Sequence, residues 1–166
     1  KLAVQFGIAT MKMTPQTSGG SPDSNVGPIT MGILQNVSLD FSFDFAQLYG
    51  GSGLFPVDVR VHTGSINGQA EEAEMTGIFF ALLTGGTQSA GGSTVTFTNT
   101  TQPTEWQLEL ELATDLVDMN FTLNACRSSS FNVPFARDSH VITGFQFQAF
   151  ADSSGNIGTL IIDDPS

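Results

Sequence analysis

The chain has 166 residues, enough for one domain with a real core. About 40% are hydrophobic and only 13% charged, so it is not a disordered polyelectrolyte. Five basic against sixteen acidic residues give a net charge of −11, which excludes wrapping a nucleic acid or docking on an anionic membrane.

Leu2, Val4, Phe6 and Ile8 alternate with small or polar residues, the pattern of a first strand. Nothing before Met13 has the apolar run of a signal peptide. Thr14 to Pro28, rich in proline, glycine and small polar residues, reads as a loop or contact arm.

The clearest pattern runs from Asn36 to Phe45. Val37, Leu39, Phe41, Phe43 and Phe45 share one face, and Asn36, Ser38, Asp40, Ser42 and Asp44 the other. This predicts a long strand whose apolar row is core. Full burial of that row would contribute on the order of 10 kcal/mol before entropy is subtracted. Gly50, Gly51 and Gly53 mark a turn, and Pro56 opens a second strand with Val57, Val59 and Val61 on one face. The two strands are expected to pair antiparallel.

Glu71 to Leu83 holds the one helix candidate, with Met75, Ile78, Phe79 and Leu82 at helical spacing and Gly85 and Gly86 ending it. Residues 65 to 73 fit the continuation of a strand equally well. Ile78 to Leu83 is the longest apolar run, far too short to span a bilayer. Gly91 and Gly92 fall in a second loop, near 85 to 92.

The remainder alternates as strands do. Val95 and Phe97 come first. Trp106, Leu108, Leu110 and Leu112 then lie opposite Gln107, Glu109 and Glu111. Val117, Met119, Phe121, Leu123 and Ala125 form the next apolar row, after a turn at Asp115. Past a loop from Phe131 to His140 come Phe145, Phe147 and Ala149, then a turn from Asp152 to Asn156 and a last strand from Ile157 to Ile162. The pattern predicts a mainly β domain over residues 1–166, a sandwich or barrel-like subunit with one flanking helix.

Residues suited to catalysis are few. His62 and His140 lie far apart, and no nucleophile elbow, zinc motif, phosphate loop or paired-cysteine motif occurs. Cys126 sits in an apolar alternation and reads as a buried structural thiol. Asp40 with Asp44, and Glu109 with Glu111, read as solvated strand faces rather than as catalytic or calcium-binding pairs. We therefore expect no enzyme, no metal and no cofactor. A single Tyr and a single Trp do not make the aromatic girdles of a membrane barrel.

Gly32 to Phe43, then Leu48-Tyr49-Gly50, then Phe55-Pro56-Val57-Asp58-Val59 resembles the tail tube (major tail) proteins of tailed bacteriophages. So do Phe131 to Phe135, Gly144 to Phe150 and the Asp152 to Asn156 turn, whereas Thr87 to Glu105 departs from the pattern. The resemblance implies a non-enzymatic virion subunit, assembled in the host cytoplasm. Six copies would form a ring, and rings would stack with other tail proteins into a hollow tube through which viral DNA passes unbound. Contractile injection tubes share this fold. Asp40, Asp44, Glu109 and Glu111 are then candidates to face the lumen, and Gln16, Gly19, Pro22, Asn25, Gly85 and Gly86 to form subunit-contact loops. Two other readings stay open: a different virion protein, such as a capsid decoration or minor coat protein, and a carbohydrate-binding β-sandwich module.

Overall fold

A computed structural model describes residues 8–17, 21–22, 27–31, 34–51, 53–72, 76–89, 94–113, 118–133 and 143–163. The strands are β1 (Ile8–Thr17), β2 (Ser21–Pro22), β3 (Ile29–Thr30), β4 (Leu34–Tyr49), β5 (Pro56–Glu72), β6 (Thr87–Gln88), β7 (Val95–Thr96), β8 (Trp106–Ala113), β9 (Asp118–Asn132), β10 (Thr143–Phe150) and β11 (Gly158–Asp163). Helix α1 (Gly77–Thr84) lies between β5 and β6. The protein is therefore mainly β with one short helix, as the alternation predicts.

One antiparallel sheet runs β2-β1-β8-β9-β10-β5-β4, with β3 added to β1 and β11 added to β9; β6 and β7 form a small separate pair. β1 and β4, near opposite ends of this order, also come into contact, so the sheet coils around its apolar face. That face supplies Met11, Met13, Trp106, Leu108, Leu123, Cys126, Phe145, Phe147 and Ala149, all buried. Trp106 meets Phe147 edge-on with centroids 5.2 Å apart, a geometry that adds about 1 kcal/mol beyond area burial. Cys126 is buried as expected, and burial together with the Glu105 carboxylate pushes its thiol far above the ordinary range.

α1 covers the core where β5 ends. Thr76 caps it, its Oγ1 accepting from Phe79 N, and Gly85 closes it in the left-handed region at φ 75°. Phe79, Leu82 and Leu83 are buried, and Phe79 meets Phe145 edge-on at 5.4 Å. Ile78, expected on the buried face, is instead exposed. Residues 65–72 continue β5, which settles where the strand ends.

Three further expectations change. Thr14 to Thr17 belong to β1, because Gln107 and Trp106 of β8 pair with Thr14 and Pro15 there. Gln16 is buried at 7% exposure and its Nε2 donates to Asn124 O at 2.8 Å, so it serves inside the subunit rather than at a contact loop. The third concerns Phe41, Phe43 and Phe45, which are not core: they are exposed by 49, 59 and 58%. Leu2, Val4, Phe6, Gly19, Asn25, Met75, Gly91, Gly92, Asp115, Val117 and His140 lie outside the described residues.

β9 joins the two halves of the sheet. β8 occupies one of its edges, and β10 followed by β11 occupy the other. Register shifts in both the β8 and β10 pairings put bulges in β9 near Asn124 and Ser129, which bend it. Asn124 lies where β10 gives way to β11. Its N–H donates to Ile157 O at 2.8 Å and its Nδ2 to Asp152 Oδ2 at 2.9 Å. Asp152 Oδ1 also accepts from Ser154 N and Asn156 N, which folds residues 151–157 into a compact loop.

Candidate functional site

The candidate site is the outer half of the β4–β5 ribbon. The register pairs Val37 with Ala70, Leu39 with Gly68, Phe41 with Ile66 and Phe43 with Gly64, so one face of the ribbon is apolar along its length. A bulge between Asp44 and Phe45 skips His62 and brings Phe45 opposite Val61, which keeps the apolar row on one face. The other face carries Ser38, Asp40, Ser42, Asp44, Ser65, Asn67 and Gln69. Ser42 and Ser65 hydroxyls are 2.7 Å apart, and Thr63 Oγ1 donates to Asp44 Oδ2 at 3.0 Å.

The apolar face runs further than its cover. β10 pairs β5 only from Ile66 to Glu72. From Ser65 to Pro56 no described strand other than β4 pairs β5, and among the described residues β4 pairs with nothing else. Val37 and Leu39 pack partly on the core. Beyond them on that face Tyr49, Val57, Val59 and Val61 are all half or more exposed, Leu48 is exposed on the other face opposite Asp58, and the tip places Leu54 at 90% and Phe55 at 80% exposure. A two-stranded ribbon gains too little from its own contacts to hold such a surface in water without a partner.

A second uncovered element is β11. Leu160, Ile161 and Ile162 are each at least half exposed, and β11 pairs only with β9 among the described strands. β4 and β11 thus both present an unpaired edge that accepts another strand by hydrogen bonding.

The sequence-derived candidates do not form one cluster. Asp40 and Asp44 stand on the wet face of β4, and Glu109 and Glu111 on that of β8, with β9, β10 and β5 between them. That is four inter-strand steps, about 19 Å along the sheet. Lys12 lies 3.9 Å from Glu111 across the β1–β8 pair. Pro22 pairs with Gln16 where β2 meets β1, and Gly85 and Gly86 close α1. Sequence reasoning missed the Leu54–Phe55 tip. Its signal was present: an apolar pair inside a glycine-rich turn, where turn chemistry calls for polar residues.

No family model matches the chain, and no curated protein sequence matches it. Its fold does match solved structures. A chain in the cryo-EM structure of the six-fold symmetrised baseplate of the anti-feeding prophage superposes with a TM-score of 0.51 at 8% identity, covering 99% of this chain and 97% of that one. A chain in the extended sheath–tube complex of the PVC extracellular contractile injection system gives 0.52 at 13% identity, covering 93% and 88%. The fold is thus one found in phage-tail-like contractile assemblies.

Proposed function

We propose that this chain is a non-enzymatic structural subunit that assembles with copies of itself into six-membered rings, stacked as the hollow tube of a phage tail or of a tail-like injection device. The observation that carries this reading is the exposed apolar ribbon ending at Leu54 and Phe55. A chain of net charge −11 that retains such a surface needs a partner for it. The open edges of β4 and β11 lie on different strands, so pairing one with the other on a second copy is heterologous, and a heterologous contact closes a ring when its rotation divides a full turn. The fold it shares with chains of contractile assemblies supports the same reading.

The wet face of β4, with Asp40 and Asp44, is proposed to line the lumen, and Glu109 and Glu111 are the acidic pair that lines it if the subunit is turned the other way. An acidic wall lets a polyanion such as viral DNA pass without sticking. Of segments 14–28 and 85–92, Gly19, Pro22, Asn25, Gly85 and Gly86 are proposed as contacts between copies or with other tail proteins.

Negative-stain electron microscopy of the purified protein tests the reading. Six-membered rings or hollow tubes are expected at high protein concentration. A monomer that stays monomeric up to millimolar concentration would refute it.

A further inference from the structure

We infer that the lobe built from α1 and the chain that follows it carries a binding site for a neutral oligosaccharide, centred on the ring of Phe97. Met75 to Thr104 holds no Asp, Glu, Lys, Arg or His, although acidic residues bound it on both sides, at Glu71, Glu72 and Glu74 before it and at Glu105 after. Thr87 to Glu105 is also the stretch that departs from the tail-tube pattern, so the resemblance assigns it no role. The described part of this stretch folds on itself. Ser89 N donates to Thr94 O at 2.9 Å where β6 meets β7. A Cβ on Gly85 would run into the backbone of Gln102, so the end of α1 and the chain before β8 are in close contact. Phe97 meets Phe80 of α1 edge-on at 5.6 Å, and Phe80 meets Phe131 of β9 edge-on at 5.0 Å.

The chemistry of the lobe selects its partner. Nucleic acids and anionic membranes need cations, and the lobe has none. A basic protein would be drawn to the acidic faces elsewhere on a chain of net charge −11. A protein interface needs a centre rich in apolar and aromatic side chains, whereas Ile78 and Phe97 are the only large apolar side chains exposed among the described residues of the lobe. What the lobe offers instead is hydroxyl and amide groups: Thr87, Thr94, Thr96, Thr98, Asn99 and Thr100 are all exposed. A threonine hydroxyl both donates and accepts, as does the Asn99 amide, which is what a sugar hydroxyl requires. Thr98 N donates to Thr101 Oγ1 at 2.7 Å and Thr98 Oγ1 lies 3.1 Å from Thr100 Oγ1, which orders the turn that presents Asn99. The C–H face of a sugar ring packs on an aromatic ring, and Phe97 supplies one, 50% exposed and already held by Phe80. A ring fixed in advance loses little freedom on binding.

The place of the lobe in the fold suits this role. α1 packs on the apolar face of the sheet, where Phe79 meets Phe145, while Asp40 stands on the opposite, wet face. An assembly that turns Asp40 to the lumen therefore carries the lobe on its outer side. One exposed ring with a few hydroxyls binds weakly, but rings of six copies repeated along a tube present many such sites, and avidity of that kind raises binding by about 10²–10⁴. The inference rests on the tube reading for this gain alone, since the site itself belongs to the single subunit.

NMR titration of the isotope-labelled full chain with maltohexaose, cellohexaose, chitohexaose and mannohexaose tests the site. At millimolar sugar, at least one of these should give saturable shifts in the amide resonances of Thr96, Phe97, Thr98 and Asn99. Anionic polygalacturonate should bind less, because the chain repels it. Phe97→Ala should weaken binding at least tenfold, and Phe97→Tyr should keep it. Asn99→Ala, in an exposed turn, should also weaken binding and gives an independent measure in case Phe97→Ala disturbs the lobe. Absence of saturable shifts with all four sugars would overturn the inference. So would shifts confined to residues outside the lobe, or a Phe97→Ala protein that is folded and binds as the parent does. Tubes that form but bind no sugar remove this inference and leave the tube reading standing. A subunit that binds sugar through Phe97 yet forms no rings supports the site and removes the tube reading.

Discussion

The ring of Phe41 meets that of Phe121 edge-on, with centroids 6.0 Å apart and an interplanar angle of 85°. Inward of this pair the β4–β5 ribbon lies over the core, where Val37 and Leu39 are partly buried. Outward of it Phe43 and Phe45 face water, as do Leu160 and Ile162 of β11. The boundary between the part of the ribbon that stabilises the single subunit and the part left uncovered falls at this contact.

Substitutions on either side of that boundary should therefore behave differently. Phe147→Ala removes a ring packed against Trp106 and Phe145, and should cost about 3–5 kcal/mol in urea unfolding of the monomer. Phe43→Ala should cost less than about 1 kcal/mol in the same experiment, because exposed substitutions change little. It should instead weaken assembly, read as a rise in the concentration at which oligomers appear in sedimentation. A Phe43→Ala monomer destabilised as much as Phe147→Ala would show that the ribbon is covered within one subunit.

Gly68 is expected to tolerate no side chain. A Cβ there would run into the ring of Phe147, which packs against the bare backbone of β5. Gly68→Ala should cost about 1–3 kcal/mol through overpacking. Gly144→Ala, with open space around its Cβ position, should cost much less in the same unfolding measurement.

The loop between β10 and β11 should depend on Asp152 and on pH. Hydrogen bonds from Asn156 N, Ser154 N, Asn124 Nδ2 and Gly155 N hold its carboxyl below the usual carboxylate range. A group with a depressed folded pKa stabilises above its unfolded value and loses that contribution as pH falls through the folded one. Loosening is thus expected only below about pH 4. Hydrogen exchange at Asn124 and Asn156 should accelerate in that acid range, and Asp152→Ala should show the fast exchange already at pH 7. Equal protection in the variant and the parent at pH 7 would show that backbone bonds alone hold the loop.

If β4 lines the lumen, Asp40→Lys with Asp44→Lys should leave tubes intact, because both side chains are on the wet face away from the core. Six-fold repetition would then turn acidic rings into basic ones, and such rings set the selectivity of a pore. Labelled DNA should be retained in the variant tubes at low salt and released as salt screens the charges beyond about 8 Å. DNA retention identical to that of the parent tubes would move Asp40 and Asp44 to the outer surface.

The sequence by itself determined which residues pair their chemistry on which face. Period-2 alternation reports only the pleat, so Trp106, Leu108, Phe145 and Phe147 were legible as core and Asp40, Asp44, Glu109 and Glu111 as wet. Phe79, Leu82 and Gly85 similarly marked one helix, because helical spacing and a closing glycine are local signals, whereas the Thr76 cap was not read from the sequence. Tertiary structure decided what covers each apolar face. Phe43 and Phe147 carry the same alternation, yet one is exposed and the other buried, because β10 pairs β5 from Glu72 only as far as Ile66 and α1 packs on Phe145 of β10. The bulges of β9, which let β10 and β11 follow each other along one edge, were equally illegible: the alternation of Leu123, Ala125 and Cys126 breaks only where long-range pairing inserts an extra residue. Burial depends on neighbours distant in the chain, and a single strand's pattern holds no record of where those neighbours end.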